Sequence, residues 1–503
     1  ARYFMSDNPT HNPSRVIGTE TEFGIASRDP NAADPVANSI HLIGYYPNLP
    51  APHAVWDYEN ENPLLDARGF EVDGERERPG PDYNRQLNKV LANGGRLYVD
   101  GAHPEYSTPE CLNAREVVAF ERVGERIVAQ ALEGITKARG RDQFVLYKNN
   151  SDGKGNSYGY HENYLVSRAV PFERITQVLT PFFVTRSIYA GSGKVGAENQ
   201  TSPVDYQISQ RADFFETLVD LNTMVRRPII NSRDEPHSDS AKYRRLHVIV
   251  GDANMAEVST YLKVGTLSIV LELLEAGADL PRISLADPVN AIKQVSRDVQ
   301  VKESVKLSDG SSSTAIAVQR AYLKAAQSYY ACHELNQVTK DVLVRWEDVL
   351  DRLERDPRSL VRELDWVAKR YLIESYMERK SCGWDDPRVR LMDFQYHDVR
   401  PDKGLYYTLE RNHRIERVVL DHEIARAEFN PPVGTRAYFR GQCIKKYPTV
   451  VYGASWTSVL FDTGQNKIKR IPLMDPLRGT ESLTGELLAQ AETASALLAK
   501  LST

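Results

Sequence analysis

The chain has 503 residues, 41% hydrophobic and 26% charged, the balance of a folded protein with a sizeable core. Lys plus Arg number 63 against 68 Asp plus Glu, a net charge of −5, which excludes the basic excess that a broad nucleic-acid surface needs. Length alone predicts about three domains, or one large enzyme domain with a satellite.

Along the chain, Ala1 to Asn12 is polar and lacks the apolar run of a signal peptide, so none is expected. A strand is predicted over Ile17 to Phe23. From about Tyr46 to Tyr83 the chain is crowded with prolines and with Asp57, Glu59, Glu61, Asp66, Glu71, Asp73, Glu75 and Glu77. Prolines block ladders and helices, and clustered acids repel, so this segment is expected to be a long, mobile, acidic loop between two strands. Further strands are predicted at Arg96–Asp100, His161–Tyr164, Tyr206–Arg211 and Arg245–Val250. Apolar periodicity predicts helices over Ala114–Ala138, Ala256–Ala276, Ala315–His333, Lys340–Arg355 and Ser359–Arg379, with Glu481–Ala499 as a terminal helix. Strands followed by a block of helices predict an α+β fold. The most apolar stretch, Val264 to Leu274, carries Glu272 and is too short to span a bilayer, so no membrane segment is expected. The four cysteines, Cys111, Cys332, Cys382 and Cys443, form no Cys-x-x-Cys pair. That argues against a zinc knuckle or a disulfide framework, and a reducing cytoplasm is the simplest setting.

The predicted strands share a pattern. Residues two apart on a strand share a face. Glu20 and Glu22 therefore point one way and Ile17 the other. Arg96, Tyr98 and Asp100 lie opposite Leu97 and Val99. His161 pairs with Asn163, Arg245 with His247, and Gln207 with Ser209 and Arg211. Any one such strand fits the wet face of an antiparallel sheet. Together they carry carboxylates, imidazoles and guanidiniums in place of the usual Lys, Thr and Ser. On one sheet they would build a floor with Glu20, Glu22, Tyr98, Glu105, His161 and His247 as candidate metal ligands, with Arg96, Arg211 and Arg245 around them. Ligands dominated by carboxylates and free of thiolates favour Mg²⁺ or Mn²⁺, which commonly share coordination with phosphate. Arginines among them suit phosphate oxygens. The pattern predicts a nucleoside triphosphate site on a sheet floor. Asp100 ends its strand just before Gly101. There it is a candidate nucleophile or general base, or one more ligand or turn residue.

Two familiar phosphate motifs fail. Gly191-Ser192-Gly193-Lys194-Val195-Gly196 matches Gly-x-Gly-x-x-Gly, but Ala197 to Pro203 reads as a loop where that fingerprint needs a helix. Val195 stands where a Walker loop needs Ser or Thr. No Gly-x-Ser-x-Gly elbow occurs.

Five segments together resemble the Pup ligase/depupylase family: Gly18-Thr19-Glu20-Thr21-Glu22-Phe23-Gly24, Gly95 to Asp100 with His103-Pro104-Glu105-Tyr106, Tyr160 to Tyr164, Arg244 to Asp252, and Thr435 to Gly441. The resemblance runs from about Arg15 to about Asp462. It points to the deamidase/depupylase members over the ligases on two features: the long insert, and Asp100-Gly101-Ala102-His103, one residue shorter than the ligase spacing. The opening Gly-Thr-Glu-Thr-Glu differs as well from the Gly-Ile-Glu-Thr-Glu associated with ligases.

The resemblance implies a glutamine-synthetase-like fold: a curved antiparallel sheet cradle backed by helices. It divides the chain into a catalytic domain over 1–430, carrying the insert at about 46–83, and a small C-terminal domain over 431–503. Glu20, Tyr98, Glu105, His161 and His247 would hold Mg²⁺, with Glu22 a further candidate. Arg96, Thr108 and Trp456 would contact ATP. Arg211 and Arg245 would meet phosphates or a developing oxyanion, and Arg436 and Arg440 are candidates of the same kind. Asp100 matches the family's catalytic aspartate. The implied activity removes the C-terminal amide of Pup, the prokaryotic ubiquitin-like modifier, or cuts its isopeptide bond to a target lysine, with ATP or ADP plus phosphate as cofactor. Pup and pupylated proteins are the implied partners. The competing readings are a Pup ligase, a small-molecule ligase of the glutamine synthetase or glutamate–cysteine type, and a non-catalytic Pup-binding module.

Overall fold

The computed structural model describes residues 15–28, 34–72, 78–140, 143–464 and 467–502. The expectation for Ala1 to Asn12, and those for Asp73, Glu75 and Glu77, fall outside them. The centre is a six-stranded, wholly antiparallel sheet. In spatial order its strands are Tyr243–Val248, Tyr160–Ser167, Ile17–Glu22, His103–Ser107, Arg96–Asp100 and Asn88–Val90. The α+β expectation holds, and five of these strands contain the motifs picked out above.

The two faces of the sheet differ. The rear carries Ile17, Leu97, Tyr106, Tyr164, Leu246 and Val248, all in the main hydrophobic core. Helices Ala114–Arg139 and Glu257–Glu275 cover it. Ala114–Arg139 begins where the Asn113 side chain accepts the Glu116 N–H at 3.0 Å and stops at Gly140, whose φ of 66° suits a left-handed cap. Glu162 also points rearward, where Arg186 of helix Phe172–Ala190 pairs with it at 2.6 Å, so a buried charge is not left alone. That helix is absent from the sequence prediction. It is buried nearly all round and holds Pro181 inside, so it shows no clear apolar stripe. The predicted Ser359–Arg379 helix is split into a short turn at Pro357–Leu360 and a helix at Asp365–Lys380. The terminal helix is likewise divided, into Glu481–Gln490 and Ala494–Ser502.

The acidic insert corrects its prediction. Val55–Trp56 joins a second sheet as a parallel neighbour of Val451–Ser455, followed by Ser458–Phe461 and Lys469–Pro472. The Asn84 side chain brackets Trp56, bonding its N–H and its carbonyl, both at 2.8 Å. The acids are partnered too. Asp57 accepts from Ser458 at 2.6 Å and Arg470 at 3.1 Å, Glu61 from the Trp56 indole at 2.6 Å, and Asp66 from Ser232 at 2.6 Å. At Asp57 and Asp66, cations and hydroxyls offset the repulsion that the sequence alone displays. A second hydrophobic core joins Ala51, Ala54, Trp56 and Val90 to Phe439, Ile444, Val459 and Leu497, so the insert helps to build the C-terminal part. Among the described residues no helix is long and apolar enough to cross a membrane.

Candidate active site

Register assembles the front face. Glu20 lies opposite His161 on one side and Ser107 on the other, and Ser107 lies opposite Arg96. One step along, Glu22 faces Glu105, which faces Tyr98. One step back, Gly18 faces Asn163, and Asn163 faces His247. Directly opposed residues share a face, so the separate sequence motifs become rows of one surface. Two clusters result, Glu20–His161–His247 and Glu22–Asp100–Glu105, each with ligand atoms within 4.8 Å of one another.

Asn163 organises the first cluster. Its amide nitrogen donates to Glu20 at 3.0 Å, and its oxygen lies 2.7 Å from Arg245 Nη1 and 2.9 Å from His247 Nδ1. His161 Nδ1 stands 3.2 Å from Glu20 Oε2. In the second cluster His103 Nδ1 is 3.1 Å from Glu22 Oε2. Two buried ligand atoms, His247 Nε2 and Glu105 Oε2, have no hydrogen-bond partner among the described residues. An orphaned imidazole nitrogen and an orphaned carboxylate oxygen, set among further carboxylates without a thiolate, fit a hard divalent cation.

The electrostatics separate the carboxylates. Burial alone would raise Glu20, but the His161 hydrogen bond and the charges of His247, His161 and Arg245 hold it well below its ordinary pKa. Glu22 is lowered in the same way: burial would raise it, but the His103 hydrogen bond, the His161 and His103 charges and the Gly159 backbone together outweigh burial. Burial and the neighbouring Asp100, Glu22 and Glu20 push Glu105 well above. Burial and Arg245 hold His247 well below, so it is a neutral imidazole. Burial and nearby Glu105 raise Tyr98, which stays a phenol. Asp100 lies on the solvent-reached rim, where the crowding protein and the Glu22 charge raise it. It has no hydrogen bond or ion pair among the described residues. The turn behind it is tight: Asp100 pairs directly with His103, and Gly101 has a φ of 54°.

Beside the first cluster lies an open cleft with Gly18, Glu20, Thr108, Arg245, Arg436 and Trp456 on its wall. Thr108 Oγ1 accepts the Thr19 N–H at 3.0 Å, and Trp456 meets Trp56 edge-on at 5.0 Å. Arg96 is held between rings, its guanidinium 3.9 Å from Tyr98 and 4.1 Å from Trp56.

Two predicted site residues sit differently from expectation. Arg211 belongs to no strand of the main sheet. The predicted Tyr206–Arg211 strand ends at Gln207 and turns into a short helix at Ala212–Phe214, so Arg211 arrives from a turn. Burial and Arg227 lower its pKa to about 10. Arg440 is fully engaged: its Nε, Nη1 and Nη2 donate to Gly94 O, both Glu110 oxygens and Trp456 O. Those five bonds use all of the donors that a guanidinium has, leaving none for a nucleotide.

Other residues were missed by sequence reasoning. A Cβ at Gly159 would lie 2.5 Å from both Glu22 Oε1 and His161 Nε2, so a larger residue there would push those two side chains out of place. Arg233 feels Glu235, Glu20 and Asp100, and its Nε is buried without a partner. Its signal in the sequence was an arginine isolated beside the apolar strand Arg227–Asn231.

The family model for the Pup-ligase protein matches residues 15–460. The chain belongs to the Pup-ligase protein family. Within that family it is 46% identical over 497 residues to the depupylase of Acidothermus cellulolyticus, covering 97% of this chain and 99% of the relative. It is 45% identical over 494 residues to the Pup deamidase/depupylase of Mycolicibacterium smegmatis, with the same coverage. Among solved structures of the family, the complex of Pup with its ligase PafA superimposes with a TM-score of 0.79 at 33% identity, over 95% of this chain and 92% of that one. PafA in complex with ADP gives 0.73 at 35%, over 84% and 96%.

Proposed function

We propose that the protein hydrolyses the carboxamide at the C-terminal side chain of Pup, releasing ammonia from a glutamine end or a target lysine from an isopeptide bond. A nucleotide, ATP or ADP with phosphate, serves as cofactor and not as consumed fuel. The reading is supported by the deamidase/depupylase relatives, which match over nearly the whole chain, and by ADP bound to the PafA neighbour. The single observation that carries it is Asp100. An exposed carboxylate with no partner among the described residues, its pKa raised by the crowding protein and by the Glu22 charge, is available for chemistry while neighbouring Glu22 is engaged by His103.

In this reading Glu20, His161 and His247 hold one Mg²⁺, and Glu22 and Glu105, with Tyr98 beside them, complete the metal-binding face. The cation, when bound, neutralises negative charge on the nucleotide and on the reacting oxygen. Thr108 and Trp456 line the nucleotide cavity, and Arg96 braces its Trp56–Tyr98 flank. Asp100 either attacks the amide carbon, so that the amine leaves with a proton and water opens the resulting anhydride, or takes a proton from the attacking water. Arg211 and Arg245 face the charge that develops on the carbonyl oxygen. The catalytic domain, over 1–430, lends Val55–Trp56 of its insert to the sheet of the small C-terminal domain over 431–503, which closes the cavity with Trp456. Four free cysteines suit a cytoplasmic setting.

The test is Pup ending in glutamine, incubated with the protein and Mg-ATP and followed by mass spectrometry and ammonia release. Amide-to-acid conversion that Asp100→Asn abolishes is expected. Conjugation of Pup-glutamate to lysine, without amide hydrolysis, would establish a ligase instead.

A further inference from the structure

Asp252, 3% exposed, lies on the loop that follows the Tyr243–Val248 strand and plays no part in the chemistry above. Its carboxylate gathers three donors. Ser209 Oγ donates to Oδ1 at 2.9 Å, while the backbone N–H groups of Ser192 and Gln210 donate to Oδ2 at 2.9 and 2.8 Å. Its carbonyl accepts from Lys263 Nζ at 2.7 Å.

The link continues toward the site. Ser209 Oγ, oriented by donating to Asp252, accepts the backbone N–H groups of Arg211 at 3.1 Å and Ala212 at 3.2 Å. The same loop grips the other end of Arg211, since the Ile249 carbonyl accepts from its Nη1. Arg211 is 1% exposed and its Nε has no partner. A guanidinium pinned at its backbone and at one nitrogen, with no carboxylate hydrogen-bonded to it among the described residues, is held in direction and keeps its charge for another anion.

The Gly191–Gly196 segment, which failed as a phosphate motif, has its place here. Ser192 hangs on Asp252, and a Cβ at Gly191 would lie 2.4 Å from the Ile208 carbonyl. Glycine is needed for that segment to lie against the Ile208–Gln210 turn.

We propose that Asp252 is a positioning residue that locks the Ser209–Arg211 turn through Ser209, fixing Arg211 toward the oxygen that gains charge as the amide is attacked. The assignment rests on the hydrolase reading. Asp252 touches neither substrate nor nucleotide and acts through Arg211 alone.

The experiment compares wild type, Asp252→Asn, Ser209→Ala, Arg211→Lys and the double variant Ser209→Ala/Arg211→Lys in deamidation of Pup-glutamine, with Mg-ATP affinity measured by calorimetry. Small displacements of an aligned group cost rate steeply, so kcat is expected to fall about 10-fold in Ser209→Ala and up to about 100-fold in Asp252→Asn. KM and nucleotide affinity are expected to stay within about twofold of wild type, as befits a group acting in the transition state. Adding Ser209→Ala to Arg211→Lys should slow the enzyme less than about twofold further, because both changes act on one group. Additive losses, or a wild-type kcat in Ser209→Ala, overturn the assignment. Should Asp252→Asn fail to fold, the Ser209→Ala pair decides the matter alone. A wild-type protein inert toward Pup-glutamine overturns the hydrolase reading and the assignment with it, whereas an active wild type with additive losses overturns only the assignment.

Discussion

Replacing Glu110 with glutamine tests how the C-terminal part is fastened over the site. Glu110 receives Arg436 Nε at 2.6 Å and Arg440 Nη1 at 3.2 Å, and its side chain is only 10% exposed. Burial would raise its pKa, but Arg440 and Arg436 bring it from 4.5 down to about 2. At about 1.4 kcal/mol per pH unit, that depression represents about 3 kcal/mol of attraction. Breaking a buried pair from one side costs about 3–5 kcal/mol, because the remaining cations stay buried. The two figures agree, so Glu110→Gln should weaken the docking of helix Ala437–Lys446 by about 3 kcal/mol, a roughly 100-fold rise in its opening. Hydrogen exchange resolved by peptide is the assay, with helix Ala114–Arg139 as the internal control. The sign follows from linkage. A depressed carboxylate contributes its stability above pH 4.5 and loses it as pH falls toward 2, so the gap between variant and wild type should close over that range. Exchange within threefold of wild type at pH 7, or a gap that stays constant down to pH 2, would refute the reasoning.

Three further outcomes are expected. Gly159→Ala should displace Glu22 and His161 and weaken Mg²⁺ or Mn²⁺ binding at least about 10-fold in calorimetry, with a melting temperature close to wild type. His247→Ala should remove one ligand and lower metal-dependent activity by about 100-fold, and chelation of the wild type should match it; an active chelated enzyme would argue against a metal at this site. Lys263, buried against Tyr160, has its pKa lowered by burial from 10.5 to about 7. The unfolded chain therefore holds the extra proton between those values, and stability should rise from pH 7 upward by at most about 1.4 kcal/mol per pH unit. Lys263→Met should flatten that rise in urea titrations, and an unchanged slope would count against the assignment.

Alternation along Ile17–Glu22, Arg96–Asp100, Tyr160–Ser167 and Tyr243–Val248 was legible in the sequence, because a strand's side-chain period is a local property of the backbone. That sufficed to put Glu20 with Glu22 and Arg245 with His247 on one face. Joined to the family motifs, it named Asp100 as well. Which strands are neighbours, and in what register, is a matter of long-range pairing. Only the tertiary structure set Glu20 against His161 and Glu22 against Glu105, and moved Arg211 off the sheet into a turn.

The sequence also determined composition and charge, and those misled in the acidic insert. Repulsion among its carboxylates is visible in one dimension. For Asp57 the cation and the hydroxyl that relieve it, Arg470 and Ser458, lie about 400 residues away in the chain and meet it only after folding. Arg440 makes the same point in reverse. Its charge and its motif were plain from the sequence, but whether a guanidinium is free to bind a ligand depends on which acceptors surround it, and that is decided in three dimensions.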